Sequence, residues 1–185
     1  MKLVFTILPI FIALGTVQSD DKFKRDVTDA ALMTTLRSIE RRLKFEGPCP
    51  SGWTYFKGYC YLVSNSIKTW HQAQAYCKRL GEDLVKINSE EQNEFVLKLV
   101  NKRAPSLRQV WLALEWNPQR KAFIWADNSI PTFKKWFAGE PNGNAHEPCS
   151  NFWTRENSPG INGHWNDLSC WNQNVPCGIV CKRLP

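Results

Sequence analysis

The chain has 185 residues, seven cysteines, nine tryptophans and a formal charge of +7. At roughly 150 residues per domain, that length suits one domain with accessory segments rather than two full domains. The basic residues are scattered, with no Gly-rich phosphate loop or nucleic-acid motif among them; this argues against a nucleic-acid partner and leaves a milder attraction to acidic surfaces.

Residues 1–19 have the layout of a secretory signal peptide. Met1-Lys2 is a short positive start, Leu3 to Gly15 is apolar except for Thr6 and Pro9, and Val17 and Ser19 are small residues at the minus-three and minus-one positions of a cleavage point after Ser19. The apolar run is too short to span a bilayer, which takes about 20 residues, and no other segment is long enough, so no membrane insertion is expected. The mature product is expected to be secreted and extracellular, with Lys2 gone and a charge of +6. In an oxidising compartment Cys49, Cys60, Cys77, Cys149, Cys170, Cys177 and Cys181 read as a disulfide framework rather than a metal cluster. Seven is odd, so one cysteine is free, modified or bonded to another chain.

Residues 20–47 are polar and charged, with Leu32, Leu36, Ile39 and Leu43 at spacings of four, three and four. This is the a/d seam of a short amphipathic helical neck. It can bury itself against copies of the same helix or lie on its own domain. Gly47-Pro48 ends it.

Residues 48–185 form the main domain. Trp53 to Val63 reads as a hairpin turning at Lys57-Gly58. Thr69 is placed to cap a helix whose buried face is Trp70, Ala73, Cys77 and Leu80, and Gly81 stops it. Ser89 and Gln92 predict a capping box for a second helix burying Phe95, Val96, Leu99 and Val100. Beyond Pro105 come short Trp-rich strands. Helices first and strands with long loops after predict an α+β domain rather than alternating βαβ units. From Phe137 to Trp165 the chain is rich in Gly and Pro and has little periodicity, so this stretch is either a functional loop or hides an element.

Within that stretch and just beyond it lie Glu140, Asn142, Glu147, Asn166 and Asp167: three carboxylates and two amides. Taken singly, such residues belong to solvated turns. Together, beside Cys149, Trp165 and Cys170, they match the oxygen-only shell of Ca2+, whereas zinc would call for His or thiolate ligands.

These marks resemble the C-type lectin domain family, in its long form. Trp111-Leu112-Ala113-Leu114 is similar to the family's Trp-Ile-Gly-Leu strand and Phe123-Ile124-Trp125 to the strand after it. Trp165-Asn166-Asp167 with Cys170 resembles its calcium motif, and Glu140-Pro141-Asn142 the variant associated with mannose-type sugars. The resemblance implies two helices flanking antiparallel sheets and a long calcium-binding loop region. It also implies disulfides Cys77–Cys181, Cys149–Cys170 and Cys49–Cys60, which leaves Cys177 unpaired and able to compete for Cys77. Glu140, Asn142, Glu147, Asn166 and Asp167 are then both metal and carbohydrate ligands, and the bond before Pro141 is cis. Where relatives carry acids for a second calcium this chain has Gly143, Pro148 and Arg120, so a single ion is expected.

The expected function is a secreted Ca2+-dependent lectin for mannose, N-acetylglucosamine or fucose glycans, serving cell-surface or microbial recognition. One shallow site binds weakly, so avidity calls for a homo-oligomer, assembled through the 32–43 helix or through Cys177. The alternative is a protein- or lipid-binding module on the same fold. Catalysis is not expected, because no nucleophile elbow or zinc-protease helix is visible and Glu140 and Glu147 are better explained as metal ligands than as an acid/base pair.

Overall fold

The computed structural model describes residues 29–38, 48–66, 68–155, 160–172 and 176–185. The chain divides into two units, 1–47 and 48–185. The signal-peptide reading, together with Ile39 and Leu43, lies outside the described residues. In the first unit residues 29–38 form helix α1, on which Leu32, Met33 and Leu36 are exposed.

The second unit is α+β. Its elements run β1 (Thr54–Phe56), β2 (Tyr59–Ser64), α2 (Trp70–Arg79), β3 (Asp83–Leu84), α3 (Glu90–Arg103), β4 (Gln109–Asn117), β5 (Ala122–Trp125), β6 (Cys149–Trp153), β7 (Trp165–Leu168) and β8 (Cys177–Arg183). Strand order is β1-β2-β8-β4-β6-β7, with β3 added beside β8 and β5 beside β4. All pairings are antiparallel except β4 with β8. The β1–β2 turn places both Lys57 and Gly58 at positive φ, the twist-matched geometry of a tight hairpin.

Helix α2 starts in a full capping box between Thr69 and Gln72, and it buries Trp70, Ala73 and Cys77. Leu80 departs from the expected buried face. It is the C-cap, 41% exposed, and the chain turns away at Gly81, whose φ is +78°. Helix α3 also departs from expectation at its start. Ser89 accepts the Gln92 N–H, but the Gln92 side chain takes the Asn88 N–H at 2.9 Å, so the box is not reciprocal. Val96, Leu99 and Val100 are buried, with Phe95 half-buried and stacked on Phe56 at 4.1 Å.

The core is aromatic. Trp111, Trp125, Trp165 and Phe152 are all fully enclosed, and the indole N–H groups find carbonyls, Trp70 to Leu112 at 2.7 Å and Trp111 to Lys68 at 2.8 Å. Three disulfides join Cys49 to Cys60, Cys77 to Cys181 and Cys149 to Cys170. Cys177 is free, sits at the start of β8 with no exposed surface, and lies beside Gln109 and Asn151. Burial pushes its thiol up to about 12, which removes the thiolate that disulfide exchange needs. The expected Cys177 bridge between chains is therefore corrected: the folded domain does not present this sulfur.

The aperiodic stretch from Phe137 to Trp165 also resolves differently from a single loop. Cys149–Trp153 is a central strand between β4 and β7, its polar Ser150 and Asn151 fully buried. Ser150 donates to the Leu114 carbonyl at 2.8 Å, and the Asn151 amide donates to the Gln109 side chain. Polar residues serving as core residues erased the hydrophobic signature of a strand.

Candidate functional site

The site is assembled around β7. Trp165 is buried, and its indole N–H donates to Asn93 Oδ1 on α3 at 2.9 Å, while Asn93 Nδ2 donates to the Gly163 carbonyl at 2.7 Å. Around the same indole pack Trp125, Phe133 and Trp136, all edge-on. Residues 135–137 then bond to β7 by Trp165 N–H to the Lys135 carbonyl and Phe137 N–H to the Trp165 carbonyl. This aromatic knot delivers the chain to Glu140, whose bond to Pro141 is cis.

Asp167 is the centre of the site. It is fully buried, and its carboxylate accepts three consecutive backbone N–H groups: Asn142 at 3.0 Å, Gly143 at 2.8 Å and Asn144 at 3.1 Å. The 140–147 loop is thus pinned to β7 through one side chain. Asn166, the next residue back, turns its amide onto the Asp167 carbonyl at 2.5 Å. Glu147 lies against the α-carbon of Gly143 so closely that a β-carbon there would fall 2.5 Å from Glu147 Cβ and Cγ. Asn142 is exposed, and Glu140 and Glu147 are half-buried.

The electrostatics of this cluster are unbalanced. Burial, then the neighbouring Asp167 and Glu147 carboxylates, push Glu140 up to about 7. Burial and then Asp167 also raise Glu147. Glu140 Oε2 is buried without a hydrogen-bond partner. No ion pair among the described residues brings a Lys or Arg to these acids. Two half-buried acids held beside a buried one without a counter-charge are costly, and a cation would lower the cost.

A hard divalent ion fits this donor set. The acids alone do not form a metal-binding cluster among the described residues. The amide oxygens of Asn142 and Asn166 and the Asp167 carbonyl are what a Ca2+ shell of six to eight oxygens would need in addition. Three of roughly four lone-pair positions on the Asp167 carboxylate already hold backbone amides, so its side chain has one left to offer.

Residues 66–183 match the family model of the lectin C-type domain. The chain belongs to the C-type lectin domain family. Human CD209 antigen is 39% identical over 139 residues, 74% of this chain and 31% of that protein, so the chain spans about a third of the length of the CD209 relatives. Among solved structures, the lectin domain matches the cow CD23 carbohydrate-recognition domain, determined in the presence of a GlcNAc2Man3 oligosaccharide, at 33% identity and TM-score 0.62, covering 74% of this chain and 96% of that one. It also matches a Ca2+-independent C-type lectin, SPL-2 from Saxidomus purpuratus, at 26% identity and TM-score 0.63, covering 73% and 93%. Among the described residues no helix of the lectin domain is long and apolar enough to cross a membrane.

Two positioning residues escaped the sequence reading. Asn93, on α3, holds the indole that sets β7, and a polar residue among Gln92-Asn93-Glu94 carries no mark of burial. Gly143 was read only as a missing acid, whereas its bare α-carbon is what lets Glu147 approach. Asn-Gly-Asn is a turn signal, which is as much as sequence alone offers there.

Proposed function

We propose that this chain is a secreted, calcium-dependent lectin for mannose-type glycans. The observation that carries the reading is the orphaned Glu140 Oε2 beside Glu147, both acids raised by burial and then by neighbouring carboxylates, on a loop held by three backbone bonds to Asp167. Glu140, Asn142, Glu147, Asn166 and Asp167 would hold one Ca2+, which when bound neutralises the acids and accepts two vicinal sugar hydroxyls. Glu140 and Glu147 then accept from those hydroxyls, and the amides of Asn142 and Asn166 donate to them. The acid-then-amide order in Glu140-Pro141-Asn142 is the pattern suited to equatorial 3- and 4-hydroxyls, and the oligosaccharide named with the CD23 structure has that chemistry. The reading includes no catalytic step. The apparent signal peptide, residues 1–19, and the three disulfides support secretion. Exposed Leu32, Met33 and Leu36 on α1 support self-association that multiplies weak sites.

One observation favours a second reading, a lectin of this fold that works without calcium: backbone amides take three of the roughly four acceptor positions on the Asp167 carboxylate. A glycan array probed in calcium and again in excess EDTA separates the two. Mannose, N-acetylglucosamine or fucose binding that vanishes in EDTA is the expected result. Binding that persists in EDTA supports the calcium-free lectin, and a blank array with calcium present favours a protein- or lipid-binding module.

A further inference from the structure

A cavity of about 400 Å3 opens between the end of β8, the segment after α2 and the turn after β5; Trp125 lines it and also packs on Trp165, but none of Glu140, Asn142, Glu147, Asn166 and Asp167 reaches it. That volume is near the lower end of small-ligand cavities, about 300–1,000 Å3. Its charged lining is unevenly matched. Asp127 is held by Lys86 at 2.8 Å and by Ser129, and Glu82 pairs with Arg183 at 3.0 Å. Asp83 faces Lys182 across the β3–β8 ladder, yet its carboxylate goes to Lys78 at 2.5 Å and Gln74 at 3.0 Å.

Lys182 is the cation left over. Its ammonium donates to the Lys86 carbonyl at 2.8 Å and stands 4.0 Å from the centre of the Tyr59 ring, with no carboxylate among its described contacts. The Tyr61 ring centre lies farther off, at 5.9 Å, and an ammonium carries three hydrogen-bond donors, of which the one carbonyl takes one. Burial and then the positive charge of Lys86 hold this amine down to about 8, as befits a half-buried cation without a counter-charge. A half-buried charge of this kind is stabilised by an anion that enters its cavity.

We propose that this cavity is a binding site for a small oxyanion, the carboxylate or sulfate of an acidic ligand about the size of one sugar residue, with Lys182 as the pairing cation. The proposal does not rest on the calcium reading, because the test is run in EDTA. The full chain, 15N-labelled and at low ionic strength, is titrated separately with glucuronate, glucose 6-sulfate and neutral glucose while amide shifts are followed. The expected result is that one or both acids shift the amides of Lys86, Lys182 and Arg183 while glucose does not; which acid binds more tightly identifies the source of the oxyanion. Lys182→Met is expected to weaken that binding by about tenfold or more, and Lys182→Arg to retain it. Added salt should weaken it as well. Should Lys182→Met fail to fold, acylation of Lys182 in the wild-type chain provides the same readout, since a bound acid protects the amine. Equal shifts from glucose, or a Lys182 that neither acid shifts or protects, overturn the proposal.

Discussion

Replacing Gly143 with alanine tests whether the fold was shaped to admit Glu147 as a ligand. The new β-carbon would lie 2.5 Å from Glu147 Cβ and Cγ and 2.7 Å from Oε2, against 3.4–4 Å for ordinary contacts. Glu147 must therefore retreat by about 0.9 Å, well beyond the roughly 0.2 Å tolerance of metal–ligand distances. Losing one carboxylate from the set should lower calcium affinity about 10- to 100-fold, the range seen when a ligand's supporting partner is removed. Gly143 does not occupy the left-handed region, so its own backbone admits alanine, but Glu147 Cβ cannot rotate away and the 140–147 loop must shift, which by the cost of overpacking is worth roughly 1–3 kcal/mol even without calcium. Calorimetric calcium titration reads the first effect, and thermal unfolding in EDTA reads the second. In a Glu147→Gly background the same substitution should be silent, because the β- and γ-carbons that clash are both gone. An unchanged calcium affinity in Gly143→Ala, or an equal loss in both backgrounds, would refute the packing argument.

Three further outcomes are expected. Glu140 has its folded value raised from 4.5 to about 7, so its protonated form stabilises the metal-free fold; that contribution is complete below 4.5 and is lost as pH rises toward 7. Melting in EDTA should show this loss, Glu140→Gln should abolish it, and calcium affinity should rise across the same window. Asp167→Asn leaves one acceptor and introduces an amide donor facing three backbone N–H groups, costing roughly 1.5–3 kcal/mol even without calcium; chemical denaturation that shows wild-type stability would count against the loop being held this way. Removing Cys77–Cys181, which closes 104 residues, should cost more than removing Cys49–Cys60, which closes 11, by roughly 1.5–2 kcal/mol on the loop-entropy scale. Urea midpoints of the two double-alanine variants compare them directly.

Much of the architecture was legible because it depends on local chemistry. Thr69 caps α2, Gly81 ends it, Lys57-Gly58 turns the first hairpin, and the periodic apolar faces of both helices turn inward; each is decided by a few neighbouring residues. The misreadings have physical causes as well. Leu80 falls outside the core because the helix ends beneath it, Gln92 finds a better donor at Asn88 than at Ser89, and β6 hides behind two buried polar residues that only cross-strand partners can satisfy.

By itself, the amino-acid sequence determined which atoms are available at the site: three carboxylates and two amides, all oxygen donors, with a proline that admits the cis form. Only tertiary structure decided how they meet. The Asp167 carboxylate takes its place under three amides 23 to 25 residues away, Gly143 makes room for Glu147, and Asn93 steadies Trp165 from 72 residues off. Tertiary structure also decided that Cys177 is closed to solvent and that Lys182 has no carboxylate among its described contacts. Burial and pairing depend on what packs around a group, and distant segments supply that surrounding only once the chain has folded.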